Sequence, residues 1–370
     1  MRNASTIQMD LTLLVVSILL LTWGLVILTS SSLVLAQNQT GYAFYYIQRQ
    51  LIYLALSLGL AFIVLRTPMD IWQNAGRGLL LFALLLLVLV LIPGIGYEVN
   101  GARRWITFGL FNVQVSEIAK LCLIIYFADY LTRHEEVVTA QGLEFFKAMS
   151  VALVMTLLLL LQPDFGTAVV ILTTVLGMLF IAGARLRYFM LMVLGIGSML
   201  TVLAVSAPYR WKRITSFLNP WDDQYASGYQ LTQALIAFGR GEWWGLGLGS
   251  GIQKLFYLPE AHTDFIFAVL SEELGLIGAL GVLLLYGLLV LRGMTIGKAA
   301  MQANRHFQAY VAYGISLYLG FQVLVSMGVN TGLLPTKGLT LPLMSYGGSS
   351  LVVTIVSLAL LLRISHENTR

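Results

Sequence analysis

Residues 11–35 read LTLLVVSILLLTWGLVILTSSSLVL, and the reading of this run decides what kind of protein follows. The apolar region of a secretory signal peptide is about 7–15 residues long. This run is longer, although Val34-Leu35-Ala36 weakly imitates a cleavage site. A bilayer is crossed by a helix of about 20 largely apolar residues. The stretch is expected to remain as the first membrane helix.

Composition extends that reading to the whole chain. Of 370 residues, 58% are hydrophobic and only 11% are charged, with a mean hydropathy of +0.83. Soluble domains carry about 25% charged residues. Too little polar surface remains to cover a globule in water, so an all-α integral membrane protein is expected. The net charge of +5 follows from Lys and Arg flanking spans and does not indicate nucleic acid. The single cysteine, Cys122, lies in an apolar stretch and excludes an intrachain disulfide.

Ten apolar segments of near-span length occur, at 11–35, 48–65, 78–96, 115–132, 146–161, 167–183, 187–206, 265–291, 308–328 and 349–364. They predict a single polytopic membrane domain over 1–370, with a large extracytoplasmic loop at 207–264 between helices 7 and 8. Basic residues set the orientation. With the N-terminus inside, the inner side holds Arg2, Arg66, Arg77, Arg133, Lys147, Arg185, Arg187, Arg292, Lys298, Arg305, Arg363 and Arg370. The short outer segments hold only Arg49, Arg103, Arg104, Lys120 and Lys337. Both termini are therefore expected in the cytoplasm, as an even number of spans requires. No G-x-x-x-x-G-K-[ST] phosphate loop occurs.

Polar chemistry gathers on the outer face. GARRWITFG (101–109) brings Arg103, Arg104 and Trp105 together, as an amphipathic hairpin at headgroup level would. It reads as an interfacial anchor, as a phosphate clamp of paired guanidinium groups, or as both. Glu117 and Lys120 share a helix face at i, i+3, either as an ion pair or with Lys120 turned to an anionic ligand. In QPDFG (162–166), Asp164 can cap the following helix. GLGLGSG (245–251) reads as flexible or closely packed backbone. GVNTGLLPTKGLTLPLMSYGGSS (328–350) is irregular, and Lys337 in its middle reads as a ligand contact.

The stretch YLPEAHTDFIFAVLSEELG (257–275) holds Glu260, His262, Asp264, Glu272 and Glu273 at the start of the eighth span. Thr263 or Asp264 would make a good helix N-cap. Against capping alone stands the number of neighbouring acid–base groups. An aspartate at a lipid–water boundary can serve as a general base.

GARRWI, SEIAK, QPDFGT, GYQ, LPEAHTDFIFAVLSEELG and SYGGSS together resemble the SEDS family (shape, elongation, division, sporulation) of peptidoglycan polymerases, over residues 11–364. Lys337 within LLPTKGLTLPLMSYGGSS is similar to the division branch of the Gram-negative type. Val115 stands where the family usually has proline. The resemblance implies a ten-helix glycosyltransferase of the bacterial inner membrane at the division septum. Its implied reaction polymerises lipid II with inversion, with Asp264 as the base. Arg103, Arg104, Trp105, Lys120 and Lys337 are then candidates for the lipid diphosphate. Glu117, Glu260, His262, Glu272 and Glu273 would be supporting groups. A divalent cation is compatible with this chemistry, although no metal-ligand spacing demands one. Implied partners are a class B penicillin-binding protein and the septal regulators FtsQ, FtsL and FtsB. Two other readings are a lipid II flippase and a division scaffold. Clustering of polar groups on one face disfavours the first, and the meeting of acids and bases in one patch disfavours the second.

Overall fold

In an apolar surrounding each backbone N–H and C=O must find a partner within the protein, which favours long helices. The computed structural model describes residues 10–99, 101–109, 111–140, 142–205, 217–226, 228–335 and 338–369. Their helices are α1 Leu11–Thr40, α2 Tyr45–Arg66, α3 Met69–Leu89, α4 Val115–Ala140, α5 Gly142–Leu161 and α6 Phe165–Ile181. There follow α7 Leu186–Val205, α8 Tyr229–Gly241, α9 Ile266–Gln302, α10 His306–Asn330 and α11 Gly348–Asn368. Six of these (α1, α2, α3, α9, α10 and α11) are long and apolar enough to cross a membrane.

Two expectations need correction. The third apolar segment was placed at 78–96, but its helix runs Met69–Leu89. Pro68 sets its start, and Asp70 in the first turn suits the positive helix end. Asp70 and Arg77 hide those turns from a count of apolar residues. The chain is also not wholly α. Strands β1 Gly96–Val99, β2 Ala102–Phe108 and β3 Phe111–Gln114 form an antiparallel sheet in the order β1-β2-β3. The amphipathic hairpin expected at 101–109 is thus the central strand of a three-stranded sheet.

The helix α10 is the centre of the bundle and packs on α9, α4, α6 and α11. Side chains all round it are buried, including Tyr310, Ile315, Tyr318 and Gln322. The helices α1 to α3 keep broad apolar faces exposed, as a lipid-facing rim would. Polar contacts collect at the two ends. At one end, Asp10 caps α1 through Leu13 N–H (2.9 Å) and pairs with Arg292 (2.7 Å). The Asn368 amide donates to Ile296 O nearby (3.2 Å), so the described chain ends lie together. At the opposite end, Gln50 Nε2 donates to Ser345 O (3.2 Å) and Gln114 N–H donates to Ser349 Oγ (2.8 Å).

The helix α9 is broken at Gly275 (φ 68°, ψ −168°), a region open essentially to glycine alone. Four freed backbone groups are paired by the stretch 242–247. Leu246 N–H donates to Glu272 O (3.0 Å), and Gly247 N–H to Glu273 O (3.0 Å). Leu276 N–H donates to Glu242 O (2.9 Å), and Ile277 N–H to Trp243 O (3.3 Å). The glycine-rich segment is therefore close-packed backbone, the second of its two sequence readings. Gly275→Ala would place a methyl group about 2.4 Å from Gly245 N. It should cost at least about 1–3 kcal/mol in backbone strain. Thermal unfolding of the purified protein reads this as a lowered midpoint, and an unchanged midpoint would refute the account.

Candidate functional site

Asp264 stands one residue before the cap of α9. The cap residue is Phe265, and no side chain of the segment leading into α9 makes a capping bond. This overturns the capping reading of Asp264. Thr263 Oγ1 instead donates to the Glu260 carboxylate (2.7 Å). The Glu260 carbonyl accepts from Thr263 N–H (3.2 Å) and Phe265 N–H (3.1 Å) in a tight turn. The Asp264 carbonyl accepts from Asn330 Nδ2 (2.8 Å) at the end of α10. Among the described residues, nothing hydrogen-bonds to its carboxylate.

The surroundings of that carboxylate are built from four parts of the chain. Gly338 lies against it, and a Cβ on that glycine would come 2.7 Å from Asp264 Oδ2. Burial raises the Asp264 pKa to about 7, with the Glu260 charge adding to the rise. The Arg104 guanidinium opposes the rise and Asp164 reinforces it. A carboxylate so placed sits near the pH at which a general base is most useful.

Arg104 comes from β2. Its Nε donates to Gln162 O (3.1 Å) and its Nη2 to Pro163 O (2.6 Å), and it lies 4.0 Å from Asp164. Asp164 is buried and accepts from Thr167 N–H (3.4 Å) as the cap of α6, while its Oδ2 has no partner among the described residues. Neighbouring residues in a strand point to opposite faces. Arg103 accordingly turns away and pairs with Glu98 (3.0 Å). The two guanidinium groups therefore do not sit as a pair, and of the two it is Arg104 that lies beside Asp164. Trp105 is half-buried and lies opposite Tyr97 and Gln114 in the sheet.

His262 is buried against the rings of Tyr46 (4.6 Å) and Tyr346 (5.7 Å). Its carbonyl accepts from Tyr346 N–H (2.9 Å). Burial lowers the imidazole pKa, which keeps the ring neutral at pH 7.

Other expected site residues have structural partners. The Lys120 ammonium is buried and donates to Glu117 Oε1 (2.8 Å) and Gln322 Oε1 (2.7 Å), below the Tyr318 ring (4.9 Å). The ion-pair reading of Glu117 and Lys120 thus describes the geometry, with the ammonium turned to Glu117 and Gln322. The pair still reaches the site indirectly, because Gln322 Nε2 donates to Thr340 O (3.0 Å), two residues beyond Gly338. A small cavity beside Lys120 and Tyr318 is lined by Leu123, Ile124, Val170 and Ile171.

Glu272 and Glu273 are fully buried and do not face Asp264 as supporting groups. Glu272 accepts from Ile252 N–H (3.0 Å) and Gln253 N–H (3.1 Å) and lies 3.5 Å from Arg240. Glu273 accepts from Lys254 Nζ (2.5 Å) and Ser30 Oγ (2.7 Å). Both tie α9 to the loop before it. Lys337 lies outside the described residues. Among those described, no group of three or more His, Cys, Asp or Glu could hold a metal ion.

Sequence reasoning missed Asn330 and Gly338. An asparagine followed by Thr-Gly at a helix end reads as a C-terminal stop, so nothing local tied Asn330 to residue 264. Asp164 was read only as a cap, and its proximity to Asp264 depends on how α6 packs.

A family model described as "Cell cycle protein", covering FtsW, RodA and SpoVE, matches residues 10–370. The chain is 52% identical over 367 residues to a protein of Hahella chejuensis named "Probable peptidoglycan glycosyltransferase FtsW", covering 99% of this chain and 92% of that one. It is 49% identical over 369 residues to a Coxiella burnetii protein of the same name, covering 99% of both. A chain in the structure of a peptidoglycan synthase complex that coordinates polymerization and crosslinking superimposes with a TM-score of 0.78 at 30% identity. That match covers 99% of this chain and 100% of the other. The crystal structure of Thermus thermophilus rod shape determining protein RodA matches with a TM-score of 0.72 at 30% identity, covering 98% of each chain.

The Glu273–Lys254 pair yields a direct test of its structural role. Glu273→Ala leaves the buried Lys254 ammonium without its carboxylate and should cost about 3–5 kcal/mol. Glu273→Leu combined with Lys254→Met should recover most of that loss. Equal unfolding midpoints for Glu273→Ala and the unaltered protein would refute the role.

Proposed function

The chain belongs to the cell cycle protein family of FtsW, RodA and SpoVE, and on that premise we propose that it is a peptidoglycan glycosyltransferase that polymerises lipid II at the division septum. The observation that carries the chemistry is Asp264, a carboxylate with no hydrogen-bonding partner among the described residues and a pKa raised to about 7. The acceptor hydroxyl of one sugar is a poor nucleophile until it loses its proton. Asp264 takes that proton as the hydroxyl oxygen attacks the anomeric carbon of the donor. The new carbon–oxygen bond forms as the bond from that carbon to the diphosphate breaks. Its electron pair leaves on the lipid diphosphate. A single displacement inverts the carbon and needs one base, as in inverting glycosidases.

Arg104 is the basic side chain best supported as a contact for the departing diphosphate, because its charge is already felt at Asp264. Lys337 directly precedes Gly338 and is the second candidate on that sequence position alone. A divalent cation could join the diphosphate within this scheme. The reading places the chain in the bacterial inner membrane with ten spans, both termini cytoplasmic and the 207–264 loop outside. Support comes from the bias of basic residues and the common location of the described chain ends. Kinship with a synthase that couples polymerization to crosslinking supports a class B penicillin-binding protein as partner. FtsQ, FtsL and FtsB complete the proposed division assembly.

The test is lipid II polymerisation by the purified protein with a polymerase-inactive partner transpeptidase. Asp264→Ala should lose about 10²–10⁴-fold in rate, the usual contribution of a general base. Full polymerisation by this variant would sink the reading. The base acts deprotonated, so the rate should rise through about pH 7. Arg104 holds the Asp264 pKa down, so Arg104→Ala should move the midpoint of that rise to higher pH. A shift to lower pH would contradict the placement of Arg104.

A further inference from the structure

A helix begins with N–H groups that lack partners, and an Asp, Asn, Ser or Thr at the cap normally accepts from the N–H three residues on. In α9 the cap residue is Phe265, which has no side-chain acceptor. The N–H three residues on belongs to Ala268, and it donates both to Asn330 Oδ1 (3.1 Å) and to the Phe265 carbonyl (3.1 Å). Asn330 therefore performs the cap's hydrogen bond from another helix. The same amide donates through Nδ2 to the Asp264 carbonyl and the Ser326 carbonyl, both at 2.8 Å. Asn330 is fully buried, and its amide donors and acceptor all have partners within the protein.

We propose that Asn330 is the positioning residue of Asp264: it caps α9 from α10, clamps the Asp264 backbone, and so leaves the carboxylate free for substrate. The inference rests on the reading of Asp264 as the base. Without Asn330, Ala268 N–H keeps only the Phe265 carbonyl (3.1 Å), and Asp264 and Thr263 are the residues closest in sequence whose side chains could supply a second acceptor. A carboxylate that turns to accept backbone N–H groups is stabilised in its charged form and becomes a weaker base. Gly338 holds the other side, since its bare Cα leaves room for Asp264 Oδ2. Among the described residues, the charged groups that act on this carboxylate are Glu260 from the preceding turn, Arg104 from β2 and Asp164 from the turn before α6.

The experiment compares Asn330→Ala, Asn330→Asp and Asp264→Ala in the complex with a polymerase-inactive transpeptidase, measuring kcat, KM for lipid II and the pH profile. Asn330→Ala should lower kcat by about 100-fold with KM unchanged, the loss expected from a displacement of about 1 Å. Its acid limb should move from about 7 toward the ordinary aspartate value near 4. Asn330→Asp keeps an oxygen for Ala268 but loses the amide donor to the Asp264 carbonyl. It should lower kcat without moving the acid limb below about 7, since an added carboxylate raises its neighbour's pKa, and it carries the test if Asn330→Ala does not fold. A purely structural role predicts a lower unfolding midpoint with kcat and pH profile unchanged in both Asn330 variants, and that result overturns the proposal. Inactive Asp264→Ala beside such variants refutes the positioning role alone. Active Asp264→Ala refutes the base and the positioning role with it.

Discussion

The break in α9 at Gly275 is the constraint on which much of the Asp264 end of the bundle depends. Interrupting a helix inside an apolar bundle leaves backbone groups that cannot turn to water. The stretch 242–247 pairs with them, and Glu272 and Glu273 bind the following turn through Ile252, Gln253 and Lys254. Those contacts fix both ends of a loop that would otherwise be free to move. The loop then delivers residues 257–265 to the head of α9 in one register. Charge burial here serves geometry, because each buried carboxylate is matched by a backbone N–H or an ammonium group.

The same economy of charge shapes the candidate site. Few ionisable groups meet at Asp264, and each comes from a different element: Glu260 from the loop, Arg104 from the sheet and Asp164 from the turn before α6. Asp164 is buried and Asp264 and Arg104 partly so, and each charge there counts more than it would in open water. The sheet matters because alternation along β2 separates Arg104 from Arg103, sending one inward and the other to Glu98. Irregular backbone at 331–347 adds the small surface at Gly338 against which the carboxylate rests.

Several of these features were legible in the order of residues. Long apolar runs mark helices because the length of a run is a local quantity, and nine of the ten expected segments lie within or close to helical bounds. The third was displaced because Asp70 and Arg77 sit in a real helix that a polarity count excludes. The motif around Asp264 was visible through its density of acid–base groups. Its function as a free carboxylate was hidden, because the local rule for an aspartate before a helix is capping. Glu272 and Glu273 misled for a related reason: the four acids of 257–275 are close in sequence, but these two sit inside α9 and bind residues 252–254, whereas Glu260 and Asp264 lie before the helix.

By itself, the sequence determined a membrane class, the rough places of the helices, the crowding of polar residues between them and the family motifs. All of these depend on composition and spacing along a few turns. Tertiary structure alone decided which of the crowded groups face one another. Asn330 reaches Asp264 across 66 residues, and Arg104 reaches Gln162 across 58. A hydrogen bond is satisfied by whichever donor the fold brings near, so the free carboxylate could be identified only after every neighbour's partner was known.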